Sequence, residues 1–231
     1  MLYDAEGLHN ASDADGLPAA VSAWTPPAAA LTRPHAQLAL KRGFDIVAAL
    51  GIIVLFAPLL ALIAIAIMVV DRMPALYSQQ RYGRGGLPFT ILKFRTMTVA
   101  EPGREFTQAV PGDSRVTRLG AFLRRTSLDE LPQLFNVLIG DMSLVGPRPH
   151  ALTMEEGIVS RYPWAARRLE MRPGMTGLAQ VRGLRGPTRR KDDVLHRIEA
   201  DVEYVRGWSI GRDARILAKT PGAWIFGRNA H

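Results

Sequence analysis

The sequence predicts a membrane-embedded chain of α+β class, mostly helical with a small β element. Three observations carry that reading. From Ile46 to Val70 about 25 residues pass without a charge, more than the roughly 20 needed to cross a bilayer. Further along, apolar residues recur at helical spacing in three separate segments. Only Phe89-Thr90-Ile91-Leu92-Lys93-Phe94 reads as a short strand, behind the turn-rich Tyr82-Gly83-Arg84-Gly85-Gly86-Leu87-Pro88.

Residues 1 to about 38 mix Ala, Pro, Gly and Asp without a sustained apolar period, and read as a disordered tail. The opening Met1-Leu2-Tyr3-Asp4-Ala5-Glu6 carries acid where a secretory signal needs a basic region and then an apolar stretch. The apolar segment that follows is too long and too uniformly apolar to resemble an ordinary buried helix. Pro58, near its middle, removes a backbone donor and crowds the carbonyl of residue 54, so a helix here should bend. Lys41 and Arg42 stand before the segment and Arg72 and Arg81 after it, so basic flanks give no clear orientation. A re-entrant hairpin and a tilted, kinked span both satisfy these facts.

Past the strand, Val116, Leu119, Phe122 and Leu123 mark one helix. Leu131, Leu134, Phe135 and Leu138 mark a second, closed by Gly140. Leu195, Ile198, Val202 and Val205 mark a third. Trp208, Trp224, Ile225 and Phe226 lie among basic residues near the C-terminus, a composition that suits either a lipid interface or ordinary core packing.

Length and composition fit one ordinary domain with appendages: 231 residues, 48% of them hydrophobic. A formal charge of +8 favours anionic partners such as phospholipid, nucleic acid or phosphorylated substrates. All but Lys41, Lys93, Lys191 and Lys219 of the Lys and Arg residues are arginine, which grips phosphate bidentately, although coding bias gives the same excess. The absence of cysteine excludes disulfides, thiolate metal sites and a cysteine nucleophile. No Walker loop, HExxH, GxSxG or dinucleotide fingerprint occurs.

The segment richest in chemistry is Leu123-Arg124-Arg125-Thr126-Ser127-Leu128-Asp129-Glu130-Leu131-Pro132-Gln133, where adjacent carboxylates stand beside two arginines at a helix start. Ser127 and Glu130 also form a capping-box pattern, in which both side chains would only satisfy free backbone N–H groups. Pro132 weakens that alternative, because it falls inside the first turns of a helix capped by Ser127. Either the helix bends there or it begins nearer Pro132. In both cases Asp129 lies at the positive end of a helix near Arg124 or Arg125, so its carboxylate should be ionised and available as nucleophile or metal ligand. A second cluster, Val145-Gly146-Pro147-Arg148-Pro149, restrains Arg148 between two prolines, which lowers the entropy lost on gripping a phosphate. Arg172-Pro173-Gly174-Met175-Thr176-Gly177 is of the same kind, and either could be a plain turn. His150 and His196 are isolated and read as structural or solvated.

Together, Lys41-Arg42-Gly43-Phe44-Asp45, Lys93-Phe94-Arg95-Thr96-Met97, Ser127 through Gln133, and Val145 through Pro149 resemble the bacterial sugar transferases. More narrowly they look like the monotopic polyprenyl-phosphate phosphoglycosyl transferases that initiate exopolysaccharide or capsule assembly. The resemblance runs from about Lys41 through Trp208 and beyond, and is closest to the short form of the family, the catalytic unit alone. It implies a disordered tail over 1–38, a re-entrant membrane helix over 39–72 bent at Pro58, and a catalytic domain over 73–231 with interfacial amphipathic helices on the cytoplasmic face of the bacterial inner membrane. Many relatives place serine before the proline of the membrane helix; here Ala57 stands there, so a hydroxyl that could bond the backbone at the kink is missing.

The resemblance further implies that Asp129 attacks the sugar-bearing phosphate of a UDP-sugar, expels UMP, and then passes the phospho-sugar to undecaprenyl phosphate. Glu130 would help Asp129 hold Mg2+. Lys93, Arg95, Arg124, Arg148 and Arg172 are the implied phosphate or uridine contacts. Gln180 through Gly186 is similar to members that use glucose or galactose. The rival reading is a non-enzymatic membrane-anchored adaptor whose basic face binds anionic lipid or a partner protein; it leaves the ordered motifs unexplained. Nucleic acid is not an expected partner, because no basic helix with interleaved aromatics occurs. Oligomeric state is not encoded in these patterns.

Overall fold

The computed structural model describes residues 34–98, 112–184 and 191–225. Helix α1 runs from His35 to Ala66 and tightens into one π-helical turn, Ile67–Asp71, that ends at Arg72 in the left-handed region. Helix thus replaces the expected tail from His35 onward, while residues 1–33 of that tail lie outside the described residues. At about 1.5 Å per residue the 32 residues of α1 extend roughly 48 Å along the chain, and Pro58 lies inside the helix without ending it. An apolar helix can afford this length because every backbone group but a few is satisfied within it. Val47, Val54, Leu55 and Leu62 are each 63% exposed or more, an apolar surface that water would not tolerate and lipid would. Among the described residues this is the one helix long and apolar enough to cross a membrane.

The other face of α1 is built for the protein. Lys41, Asp45 and Ala49, one helical turn apart, are buried. Lys41 Nζ donates to Asp213 Oδ2 at 2.6 Å and to the Val145 carbonyl at 3.1 Å. Asp45 accepts from Ser143 Oγ at 2.8 Å and from the Leu144 amide at 3.1 Å. At the other end of the segment, Asp71 Oδ2 accepts from Thr117 Oγ1 at 2.9 Å.

Strand β1, Leu76–Tyr82, pairs antiparallel with β2, Pro88–Phe94, from Leu76 opposite Phe94 to Tyr82 opposite Pro88. The expected strand is thus β2, and β1 is an addition: its Ser78-Gln79-Gln80-Arg81 stretch is polar and largely exposed, so it carries no apolar alternation to read. A second sheet pairs β3, Ser143–Val145, in parallel with β4, Gly174–Thr176. The two strands approach so closely that a Cβ on Gly174 would lie 2.0 Å from the Gly146 nitrogen, which only glycine avoids.

The helices expected from periodicity are α2, Arg118–Thr126; α3, Gln133–Ile139; and α6, Lys191–Arg206. Between them and after them stand α4, Leu152–Arg161; the 3-10 segment Pro163–Glu170; the short α5, Leu178–Val181; and α7, Ile210–Ile225. Thr117 caps α2 by accepting from the Gly120 amide at 2.8 Å, and Gly140 closes α3 with φ 103°. Leu123, Leu134, Val137, Met142, Val145 and Tyr204 form the middle of a core that also takes in Ala49, Ile63 and Ile67 of the apolar segment. Trp208 belongs to this core, its indole donating to Asp213 at 3.1 Å, so core packing rather than a lipid interface explains it. The side chains of Trp224 and Ile225, and all of Phe226, lie outside the described residues.

Candidate active site

Three elements converge on the carboxylate pair. A 3-10 turn, Leu128–Glu130, carries Asp129 and Glu130 between α2 and α3. Strand β2 brings Lys93, and the loop after β3 brings Arg148. Asn136 of α3 locks the β2 edge in place: its amide donates to the Thr90 carbonyl at 2.7 Å and accepts from the Leu92 amide at 2.9 Å, replacing a neighbouring strand.

Glu130, 5% exposed, accepts from Arg148 Nη2 at 2.6 Å, Arg148 Nη1 at 3.3 Å and Lys93 Nζ at 3.2 Å. The capping-box alternative is therefore not realised. Ser127 adopts φ 59° as the residue that ends α2, its side chain caps no helix, and the next helix begins after Pro132. Glu130 binds two cations, Lys93 and Arg148.

Asp129 is placed differently. Among the described residues no side chain hydrogen-bonds its carboxylate, while Lys93, Arg124 and Arg148 lie within electrostatic reach. Burial and the Glu130 charge push its carboxyl up to about 6, against the pull of those three cations. The sequence placed Asp129 at a helix N-terminus with an ionised carboxylate; the structure puts it in a 3-10 turn, where burial and then the like-charged neighbour make it less acidic. Arg124 is held by Thr96, whose Oγ1 lies 2.8 Å from its Nε, and burial lowers its guanidinium pKa. Glu130 raises that of Arg148, the charge pair outweighing burial.

The structure thus brings Lys93, Arg124 and Arg148 to the pair, and not Arg95 or Arg172. Arg95 donates to the carbonyls of Pro74 and Leu76 and stacks 5.7 Å over the Tyr77 ring. Arg172 donates to the Gly140 carbonyl at 2.7 Å, beside Arg42, which donates to Val137 and Leu138; the two arginines cap the C-terminus of α3. Both serve the scaffold because the last carbonyls of a helix recruit nearby cations. Pro58 lies in the apolar segment, away from this cluster. His150 is buried against Arg168 and Glu155, a structural role as expected, and His196 is exposed.

Three features had no local signature. Thr96 orients Arg124, and Arg81 enters the field of Arg148 and Glu130 through a bridge that pairs its backbone with Ala151. Beneath Arg148 lies a buried set of charges, Arg168, Glu155 and Asp201, drawn from three elements. Only the tight glycine turn after Arg81 hinted that the chain doubles back there.

Among the described residues no group of three or more His, Cys, Asp or Glu side chains converges to form a metal cage. Asp129 and Glu130 nonetheless fit Mg2+, which is held by one or two carboxylates while substrate phosphate oxygens and water complete its shell. Among the described residues no side chain hydrogen-bonds the Asp129 oxygens, and a carboxylate offers about four lone-pair sites in all.

A family model described as "Bacterial sugar transferase" matches residues 36–227. The chain is 52% identical over 191 residues to the UDP-glucose:undecaprenyl-phosphate glucose-1-phosphate transferase of Caulobacter vibrioides, covering 83% of this chain and 72% of that protein. It is 46% identical over 188 residues to the exopolysaccharide production protein PSS of Rhizobium leguminosarum bv. phaseoli, covering 80% of this chain and 94% of the relative. With the UDP-glucose:undecaprenyl-phosphate glucose-1-phosphate transferase of Klebsiella pneumoniae it shares 44% over 195 residues, 84% of this chain but 42% of that longer protein. The carboxylate pair, its cations and the apolar helix therefore sit in a chain that belongs to the bacterial sugar transferase family.

Proposed function

We propose that this chain transfers a hexose-1-phosphate, glucose-1-phosphate foremost, from a UDP-sugar to undecaprenyl phosphate and releases UMP, the first membrane step of exopolysaccharide or capsule assembly. The single observation that carries the mechanism is the unequal pairing of the two carboxylates: Glu130 is held by Lys93 and Arg148, and Asp129 accepts no side-chain hydrogen bond among the described residues. The names of the Caulobacter and Klebsiella relatives support glucose as the sugar and the undecaprenyl lipid as acceptor.

An Asp129 oxygen attacks the phosphorus that bears the sugar; the phosphoanhydride bond breaks and UMP leaves with the bonding electrons. The phospho-sugar stays on Asp129 as an acyl phosphate. An oxygen of the lipid phosphate then attacks that phosphorus, the acyl–phosphate bond breaks, and Asp129 recovers its carboxylate. A carboxylate approaching a diphosphate meets like-charge repulsion, so fixed cations are required, and Lys93, Arg124 and Arg148 supply them. Mg2+, when held by Asp129 and Glu130, would neutralise the diphosphate oxygens. Glu130 keeps the two cations at the site before substrate arrives.

The apolar helix gives the lipid substrate a route along the bilayer surface. Its two ends, Lys41 with Asp45 and Asp71, are bonded to the same domain, which supports a re-entrant segment with both ends on the cytoplasmic side of the inner membrane. Cysteines introduced at Ala29 and Ser78 should both react with an impermeant reagent from the cytoplasmic side only; labelling on opposite sides establishes a full span instead.

The activity test is UMP release by detergent-solubilised protein given UDP-glucose, UDP-galactose or UDP-N-acetylglucosamine, with Mg2+ and undecaprenyl phosphate. Release with a hexose donor, abolished by EDTA and by Asp129→Ala, is the expected result. Release that survives Asp129→Ala would falsify the nucleophile assignment.

A further inference from the structure

Arg148 is directed at Glu130 by its guanidinium, yet what holds the Arg148 backbone is a second arginine. Arg168, 2% exposed, donates from Nη2 to the Arg148 carbonyl and, at 2.8 Å, to Asp201 Oδ2. Its Nη1 lies 2.5 Å from Glu155 Oε2 and 2.7 Å from His150 Nδ1. One guanidinium therefore ties together the loop of Arg148, helix α4 through Glu155, helix α6 through Asp201, and its own 3-10 segment. Glu155 pairs with one terminal nitrogen of Arg168 and Asp201 with the other, and Arg81 and Arg197 are further charges close to the set.

Such a cluster is a poor way to stabilise a fold. Taking charges out of water costs several kcal/mol per ion, and apolar packing of the same volume often does as well or better. Here the cost is not fully recovered: among the described residues Arg168 Nε, Glu155 Oε1, Asp201 Oδ1 and His150 Nε2 are buried without a hydrogen-bond partner. What the cluster does supply is position. Pro147 and Pro149 restrict the backbone on either side of Arg148; the Pro147 carbonyl accepts from the Gly174 amide at 2.8 Å, and the Arg148 carbonyl is gripped by a planar donor fork that is itself fixed by two carboxylates.

Resting on the function proposed above, we propose that Arg168 is a positioning residue of the transferase site, which with its counter-ions Glu155 and Asp201 sets the register of Arg148 against Glu130. Arg168 touches neither carboxylate of the pair and acts only through Arg148. A lysine in its place has three donors on a point charge and cannot span the same four acceptors in a plane.

The test is a double-mutant cycle on the full chain in detergent, read as single-turnover UMP release from UDP-glucose. Arg168→Lys should slow release about 10- to 100-fold, the scale of a misplaced catalytic group. Arg148→Ala should slow it at least as much, and the double variant should match Arg148→Ala alone, because Arg168 then has nothing left to position. A wild-type rate in Arg168→Lys, or losses that multiply in the double variant, overturns the proposal. Asp201→Asn, put through the same cycle, gives the answer if Arg168→Lys does not fold. Amide exchange over residues 146–151 gives a reading independent of turnover: Arg168→Lys should speed it while leaving β2 unchanged, and equal exchange overturns the positioning role. A wild-type protein that releases no UMP from any UDP-sugar refutes the transferase reading, whereas the exchange result still judges the Arg148 loop.

Discussion

Arg148 grips Glu130 with both terminal nitrogens of its guanidinium, at 2.6 and 3.3 Å, and the neighbouring Asp129 carboxylate accepts no side-chain hydrogen bond among the described residues. Adjacent residues of the same charge are thereby given different work. A carboxylate that already serves two cations is a poor nucleophile, while one that is raised in basicity and open is a better one.

Conservative amides separate the two roles. Asp129→Asn should abolish UMP release in a single-turnover assay, since no carboxylate remains to form the acyl phosphate. Glu130→Gln should leave a measurable rate, lowered about 100-fold on the scale of a lost electrostatic group. Equal residual rates in the two variants contradict the division.

Acid should inhibit the first step through Asp129. Its carboxyl is raised from 3.8 to about 6, so the ionised form is lost as pH falls through that value. The rate of UMP release in single turnover should drop tenfold per pH unit well below about 6. Saturating Mg2+ favours the anion and should move the drop to lower pH.

The buried charges under Arg148 predict opposing stability effects in mild acid. His150 is lowered from 6.5 to about 4, first by burial and then by Arg168, so its neutral state contributes stability that is lost as pH falls from about 6.5 toward 4. Asp201 is raised from 3.8 to about 6 by burial, so its share of stability is lost in the opposite direction, as pH rises from 3.8 toward 6. The two partly cancel. Asp201→Asn should therefore steepen the fall in Tm between pH 6.5 and 4.5, and His150→Gln should flatten or reverse it. Identical Tm profiles in both variants refute this account.

The anchor between the apolar helix and the domain should be costly to break on one side. Lys41→Met leaves Asp213 buried with, among the described residues, only Tyr204 and Trp208 as donors, and should destabilise the protein by about 3–5 kcal/mol. Adding Asp213→Asn removes the stranded charge and should recover much of that loss, measured by thermal unfolding in detergent.

Much of this molecule was legible from residue spacing. The apolar run, the strand at Phe89–Phe94, the three periodic helices and the stop at Gly140 depend on contacts within a few residues, which the 2.0 and 3.6 periods report directly. The ordered motifs likewise singled out Asp129, Glu130, Lys93, Arg124 and Arg148. Strand β1 was missed because hydrogen bonding to β2, not apolar alternation, makes it a strand.

The sequence by itself determined that an uncharged helix enters apolar surroundings and that two carboxylates stand among arginines. Only the tertiary structure decided which arginines matter to them. Arg95 and Arg172 sit in motifs as suggestive as that of Arg148, but each guanidinium is bonded to a backbone carbonyl rather than to the carboxylate pair, because a guanidinium goes to the acceptor within its reach. Glu130 meets Arg148 18 residues away and Lys41 meets Asp213 172 residues away. Pairings at those separations are fixed by how helices and strands pack, and no periodicity in the chain records them.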